Sequence, residues 1–147
     1  MSKTYRKVEP DAVLPDGILE YKSDQAIFKD HFDAFVIPGD TITAEHDGFT
    51  LTARIDHDDI TDIDDYYQGE EKASWLRDEW HFSTVVIAVA RGGYTLHEHA
   101  VALSGVDRNF PGSDNTHLRY VANELAEEAI ALGHTIFKEL CEEAKIL

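Results

Sequence analysis

Carboxylates dominate the chemistry this chain can offer. Between Asp56 and Glu79, ten acidic side chains stand against two basic ones, Lys72 and Arg77. Acids gathered this way can ligate a hard cation, imitate the phosphates of a nucleic acid, or keep a surface solvated. A calcium loop of the EF-hand type needs D-x-[DN]-x-[DN]-G with a Glu at position twelve. Counted from Asp56, positions five and six are Ile60 and Thr61; counted from Asp62, position five is Tyr66 and the turn glycine is missing. The pattern fails in both frames, which leaves only weak, unspecific cation binding. Phosphate mimicry fits better. In an extended segment alternate side chains repeat at roughly 6.5–7 Å, so Asp56 and Asp58 share a face, spaced like nearby phosphates along a strand. Asp59, Asp62, Asp64, Asp65, Glu70 and Glu71 extend the track. Tyr66 and Tyr67 are the expected packing anchors, giving apolar area where charge supplies steering. The plainer alternative is a charge-rich loop kept for solubility.

The whole-chain charge favours a localised purpose. Residues 1–29 are net neutral, 30–80 carry −12 and 81–147 carry −4, within a total of −16. Adaptation to high salt would spread the acids evenly. Nucleic acid and anionic membrane are repelled by such a surface, so the candidate partners are basic proteins, cations, or nothing in particular.

Other chemistries find less support. His97 and His99 are spaced i, i+2 on a predicted strand and point one way, so both could reach one zinc, with His81 or an aspartate completing it. The alternative is two structural histidines on a partly covered sheet face. Cys141 lies among Glu139, Glu142 and Glu143, which raise a thiol pKa rather than activate it. There is no G-x-S-x-G, Gly92-Gly93 lacks phosphate-loop spacing, and His81-Phe82-Ser83 is half of a two-histidine phosphodiesterase signature with no second copy. No cofactor is implied, and catalysis is not expected.

The elements that must position these residues read as one α+β domain over 1–147, with 1–22 a loosely structured lead-in punctuated by Pro10, Pro15 and Gly17. Ser23 is a candidate N-cap for a short helix through Phe32. In TITAEHDGFTLTARI, Asp47-Gly48 predicts a two-residue hairpin turn. That turn pairs Ile42 with Ala53, Ala44 with Leu51 and His46 with Phe49 on one face, leaving Thr43, Glu45, Thr50, Thr52 and Arg54 on the other. GEEKASWLRDEW predicts a short helix, with Trp80 as a core plug. A second hairpin about Gly92-Gly93 follows; its turn sets His97 opposite Ala88 and His99 opposite Val86. The nearly continuous apolar run Phe82 to Ala90 predicts a central strand covered on both faces. From Asn115 to about Ala144, Leu118, Ala122, Leu125, Ala129, Leu132, Ile136 and Leu140 form a helical stripe, roughly 45 Å long at about 1.5 Å per residue. Gly133 is expected to mark a bend, or the helix end to pack on a second subunit as a homodimer. The predicted fold is an antiparallel sheet of about four strands, two hairpins, with a short connecting helix and a long C-terminal helix packed on one face.

Trp75, Glu79 and Trp80 in W-x-x-x-E-W, Asn109 to Asn115 in N-x-P-G-S-D-N, and Val121 to Leu125 in V-A-N-E-L together resemble a group of small acidic proteins of unknown function carried by bacteriophages and bacterial mobile elements. The resemblance covers about the last two thirds of the chain. Where that group often has a Trp shortly after the last strand's Leu, this chain has Ser104. The resemblance carries no activity with it. It implies a mobile-element setting, in which small acidic proteins often inhibit host defences.

These readings converge on a non-enzymatic inhibitor, expected in the host cytoplasm, that binds a basic nucleic-acid-handling host protein by mimicry, with no direct nucleic acid or membrane contact. One cysteine and no apolar leader or span in the sequence underlie that location. The alternative is a small metal-binding protein or metal-dependent enzyme using His97 and His99. An accessory domain active only within an assembly is a third reading.

Overall fold

A computed structural model describes residues 26–146. Strands β1 (Thr41–His46), β2 (Phe49–His57), β3 (His81–Arg91) and β4 (Tyr94–Arg108) form one antiparallel sheet in the order β1-β2-β3-β4. A 3-10 turn (Ile63–Asp65) and helix α1 (Gly69–Leu76) interrupt the chain between β2 and β3, and α2 (Thr116–Ile146) ends it. The fold is the α+β arrangement that the hydrophobic pattern predicts. No helix among the described residues is long and apolar enough to cross a membrane. The expected lead-in over 1–22 and the Ser23 cap lie outside the described residues.

The first hairpin follows its turn chemistry. Asp47 and Gly48 have φ of 53° and 82°, the doubly positive geometry that matches the twist of the flanking strands. The observed register pairs Ile42 with Ala53, Ala44 with Leu51 and His46 with Phe49, as the alternation requires. In the second hairpin Arg91 pairs with Tyr94 and Ala90 with Thr95, but three register shifts follow, so Val89 meets His97 and Val86 meets Ala102. The expected placements of His97 opposite Ala88 and His99 opposite Val86 are therefore corrected. The turn sets only the nearest pairs, and bulges absorb the extra length of β4, 15 residues against 11 in β3.

Two cores lie on opposite faces of the sheet. Phe49, Leu51, Ala53 and Ile55 of β2 and Val85, Ile87 and Val89 of β3 pack with Leu118, Val121, Ala122, Ala126, Ala129 and Ile130 of α2. Strand alternation turns Phe82 the other way, where it joins Ile63, Tyr67, Trp80 and Phe110. Central strand β3 is thus covered by α2 on one side and, at its start, by the segment before it on the other.

Helix α2 runs unbroken through Gly133. A Cβ there would lie 2.9 Å from Val89 Cγ2 and 3.2 Å from Phe49 Cε1. Gly133 therefore marks a close approach of helix to sheet rather than a bend. The buried stripe also differs from the predicted one: Leu125, Leu132 and Ile136 are only half-buried, and Leu140 is exposed. The expected helix does not form over the described residues from Ala26 to Phe32. Phe28 instead donates its N–H to Asn123 Oδ1 (2.7 Å), while its carbonyl accepts from Asn123 Nδ2 (3.3 Å). A side chain of α2 satisfies this backbone, so no local helix is needed.

Candidate functional site

The segment from Asp58 to Glu79 leaves the sheet after β2 and returns at Trp80. Its foundation is aromatic. Trp80 is fully buried and donates Nε1–H to the Glu71 carbonyl and to Ser74 Oγ, both at 3.1 Å. Its ring packs against Phe110 (4.8 Å between centroids), Phe82 (5.1 Å) and Tyr67 (5.2 Å). Trp80 is the core plug expected of it. Tyr67 is a correction: 7% exposed and enclosed by Trp80, Phe82 and Phe110, it has no surface to offer a partner. Tyr66 is half-buried, its ring 6.1 Å from Phe82.

The eight acids assigned to the track divide by task. Asp58 ties the start of the excursion to β4. Its Oδ1 accepts from the N–H groups of Ile60 (3.0 Å) and Thr61 (3.1 Å), and its Oδ2 accepts from Thr61 Oγ1 and Gly105 N–H, both at 2.6 Å. Burial pushes this carboxyl up, but the Thr61 hydroxyl and three N–H donors outweigh it and hold the pKa below the usual aspartate value. A carboxylate saturated in this way is a poor phosphate stand-in. Asp56 stands on the sheet face away from α2 and takes two hydrogen bonds from Arg54, at 2.8 and 3.1 Å; these lower its pKa. Asp64 pairs with Lys72 at 2.6 Å and Glu70 with Arg77 at 2.8 Å. Arg77 also holds Glu79 at 2.7 Å and lowers its pKa. Asp62 caps the 3-10 turn through Asp64 N–H at 2.9 Å. Asp59, Asp65 and Glu71 are exposed, with no ion pair among the described residues. The excursion thus turns Ile63 and Tyr67 inward and keeps Asp59, Asp62, Asp65 and Glu71 outside, together with the exposed Ile60 and Leu76.

The histidines do not converge. His81 faces Arg108 and His97 faces Val89. Eight residues of β3 separate those positions, roughly 26 Å at about 3.3 Å per residue. His81 therefore cannot complete a site with His97. His99 Nε2 accepts from Arg54 Nη2 at 3.1 Å, because a guanidinium only donates. His97 Nδ1 accepts the His99 backbone N–H at 3.0 Å. Each imidazole thus has one lone pair already engaged. Among the described residues no group of three His, Cys, Asp or Glu side chains is placed to hold a metal ion.

Two groupings went unread in the sequence. Arg54, placed only as an outward-facing residue, joins Asp56 to His99 across the sheet. At its far end His117 and Asp107 are both fully buried, with His117 Nε2 donating to the Asp107 carbonyl at 2.6 Å and lying 3.7 Å from its carboxylate. Beside them Asn109 and Asn115, both at positive φ (60° and 66°), bond each other's side chains and hold Val36 and Ala34. Paired asparagines around a Pro-Gly break were the available signal. The Cys141 thiol is exposed on the last turns of α2.

Comparison with protein-family models, with curated proteins and with solved structures gives no match.

Proposed function

We propose that this protein is a non-enzymatic inhibitor, carried by a phage or mobile element, that binds a basic nucleic-acid-handling host protein through the excursion 58–79. One observation carries the reading: the excursion is seated on an aromatic cluster, its Ile63 and Tyr67 packed with Trp80, Phe82 and Phe110, while Asp59, Asp62, Asp65 and Glu71 stay outside. A loop kept only for solubility needs no such foundation. Asp59, Asp62, Asp65 and Glu71 are the phosphate stand-ins, and half-buried Tyr66 is the remaining aromatic anchor. Asp64 and Glu70, partly neutralised by Lys72 and Arg77, flank them. Rigid presentation lowers the ordering cost of binding, and dense negative charge steers a basic groove toward the excursion. The resemblance noted above supplies the mobile-element setting, and a nucleic-acid-handling target places the encounter in the cytoplasm.

The test is capture of the partner from host lysate, followed by binding measured at rising salt and with duplex DNA as competitor. Affinity is expected to fall about tenfold or more between 50 and 300 mM salt, and DNA to displace the protein. The variant with Asp59, Asp62 and Asp65 changed to Asn and Glu71 changed to Gln should bind at least about tenfold more weakly. Binding indifferent to salt, DNA and these substitutions rejects mimicry.

A further inference from the structure

The two edges of the sheet are unequal. The β4 edge is broken by three register shifts, a common protection against added strands. The β1 edge has an unbroken six-pair register and carries neither Lys nor Pro. His46 and Phe49 close the hairpin turn, and the Ile55 N–H donates to the Asp40 carbonyl at 3.0 Å. Even-numbered β1 residues therefore exchange hydrogen bonds with β2, and Thr41, Thr43 and Glu45 direct their backbone groups outward. Beside this edge runs a groove of about 390 Å³ with Ala26, Ile27 and Ala44 on its walls. Asp30 and Glu45 line it against one lysine, Lys29, and Thr50 Oγ1 holds Glu45 through a 2.9 Å hydrogen bond.

We infer that β1 accepts an extended basic peptide segment of a partner as a fifth strand. Strand addition supplies main-chain hydrogen bonds, and alternate side chains give selectivity. Apolar residues of the added strand enter the groove beside Ala44 and Ile27, while the alternate positions, lysine or arginine, lie beside Glu45. The site is separate from the excursion and shares with the proposed function only the sign of the partner's charge.

A capped octapeptide of alternating lysine and valine is the probe, followed by amide NMR and hydrogen exchange on the full chain. Shifts and slowed exchange are expected at Thr41, Thr43 and Glu45. Thr43→Pro removes the central outward N–H without touching the β2 ladder, and should weaken binding roughly three- to tenfold. Thr43→Val keeps that N–H and should bind like the native chain. The wild-type exchange map decides the matter even if the proline variant does not fold. Equal binding of a block peptide with all lysines first, or perturbation confined to 59–71, overturns the inference while leaving the excursion reading intact. Protection of the Thr43 amide without peptide also overturns it, by assigning the edge to a second copy or to the chain itself.

Discussion

Asp58 shows how an acid in a charge-rich run can serve structure rather than recognition. Four hydrogen bonds converge on its carboxylate, one from Gly105 on β4, 47 residues away. Asp58→Ala leaves those donors poorly satisfied and is expected to destabilise the fold by about 1–3 kcal/mol at pH 7. The dependence on pH has a definite sign. The folded pKa is lowered, so Asp58 contributes its full stability above the ordinary aspartate value near 3.9. That contribution is lost as pH falls through the lower folded value. Urea unfolding of native and variant proteins should show a difference that narrows as the pH is lowered below about 4. His117 makes a second residue-scale case. Its Nε2 donates to a buried carbonyl, so the ring is expected to hold its proton on Nε2, which nitrogen-15 NMR reads directly. His117→Ala opens a cavity and orphans that carbonyl, at a cost of about 2–4 kcal/mol in chemical unfolding.

At the scale of elements, Gly133 turns a general rule around. Replacing a mid-helix glycine by alanine ordinarily stabilises by about 1 kcal/mol. Here the added methyl meets Val89 Cγ2 at 2.9 Å in a packed layer, so Gly133→Ala should destabilise by about 1–3 kcal/mol. Val89→Ala should relieve the clash, and a double-mutant cycle is expected to show favourable coupling. That contact was illegible in the sequence, because a helical glycine is written the same way whether it bends a helix or admits a neighbour. The first hairpin was legible to the residue, since Asp47-Gly48 and the apolar alternation specify one register. The second was legible only near Gly92-Gly93, because the bulges in β4 answer to packing across the sheet. The stretch after Ala26 looked helical by local cues, yet its partner, Asn123, lies 95 residues away from Phe28. Long-range satisfaction of backbone groups leaves no local trace. The acidic track was visible as composition, but its division into caps, ion pairs and outward acids required the fold. Tyr67 differs from Tyr66 in burial, and nothing in the pair Tyr66-Tyr67 distinguishes them.

Over the whole molecule the question is whether the net charge of −16 is held in local pairs or left as mutual repulsion, and salt answers it by sign. Arg54–Asp56, Lys72–Asp64 and Arg77–Glu70 are short ion pairs on the surface. If they dominated, added salt would screen attraction and lower stability, though exposed pairs of this kind contribute little. Asp59, Asp62, Asp65 and Glu71, which form no ion pair among the described residues, add negative charge within one excursion, and self-repulsion of that kind opposes the compact state. With a screening length of about 10 Å at 0.1 M salt, neighbours along this excursion feel one another in dilute buffer and much less above roughly 0.3 M. The native protein is therefore expected to gain thermal stability as sodium chloride rises from about 10 to 300 mM, by a few degrees in Tm. The variant with these four acids changed to amides should start higher and gain less. A Tm that falls with salt, or an identical response from both proteins, would mean the outward acids carry no unrelieved repulsion. An excursion without that repulsion has no excess field with which to draw in a basic partner, so this measurement on the isolated protein probes the proposed function before any partner is known.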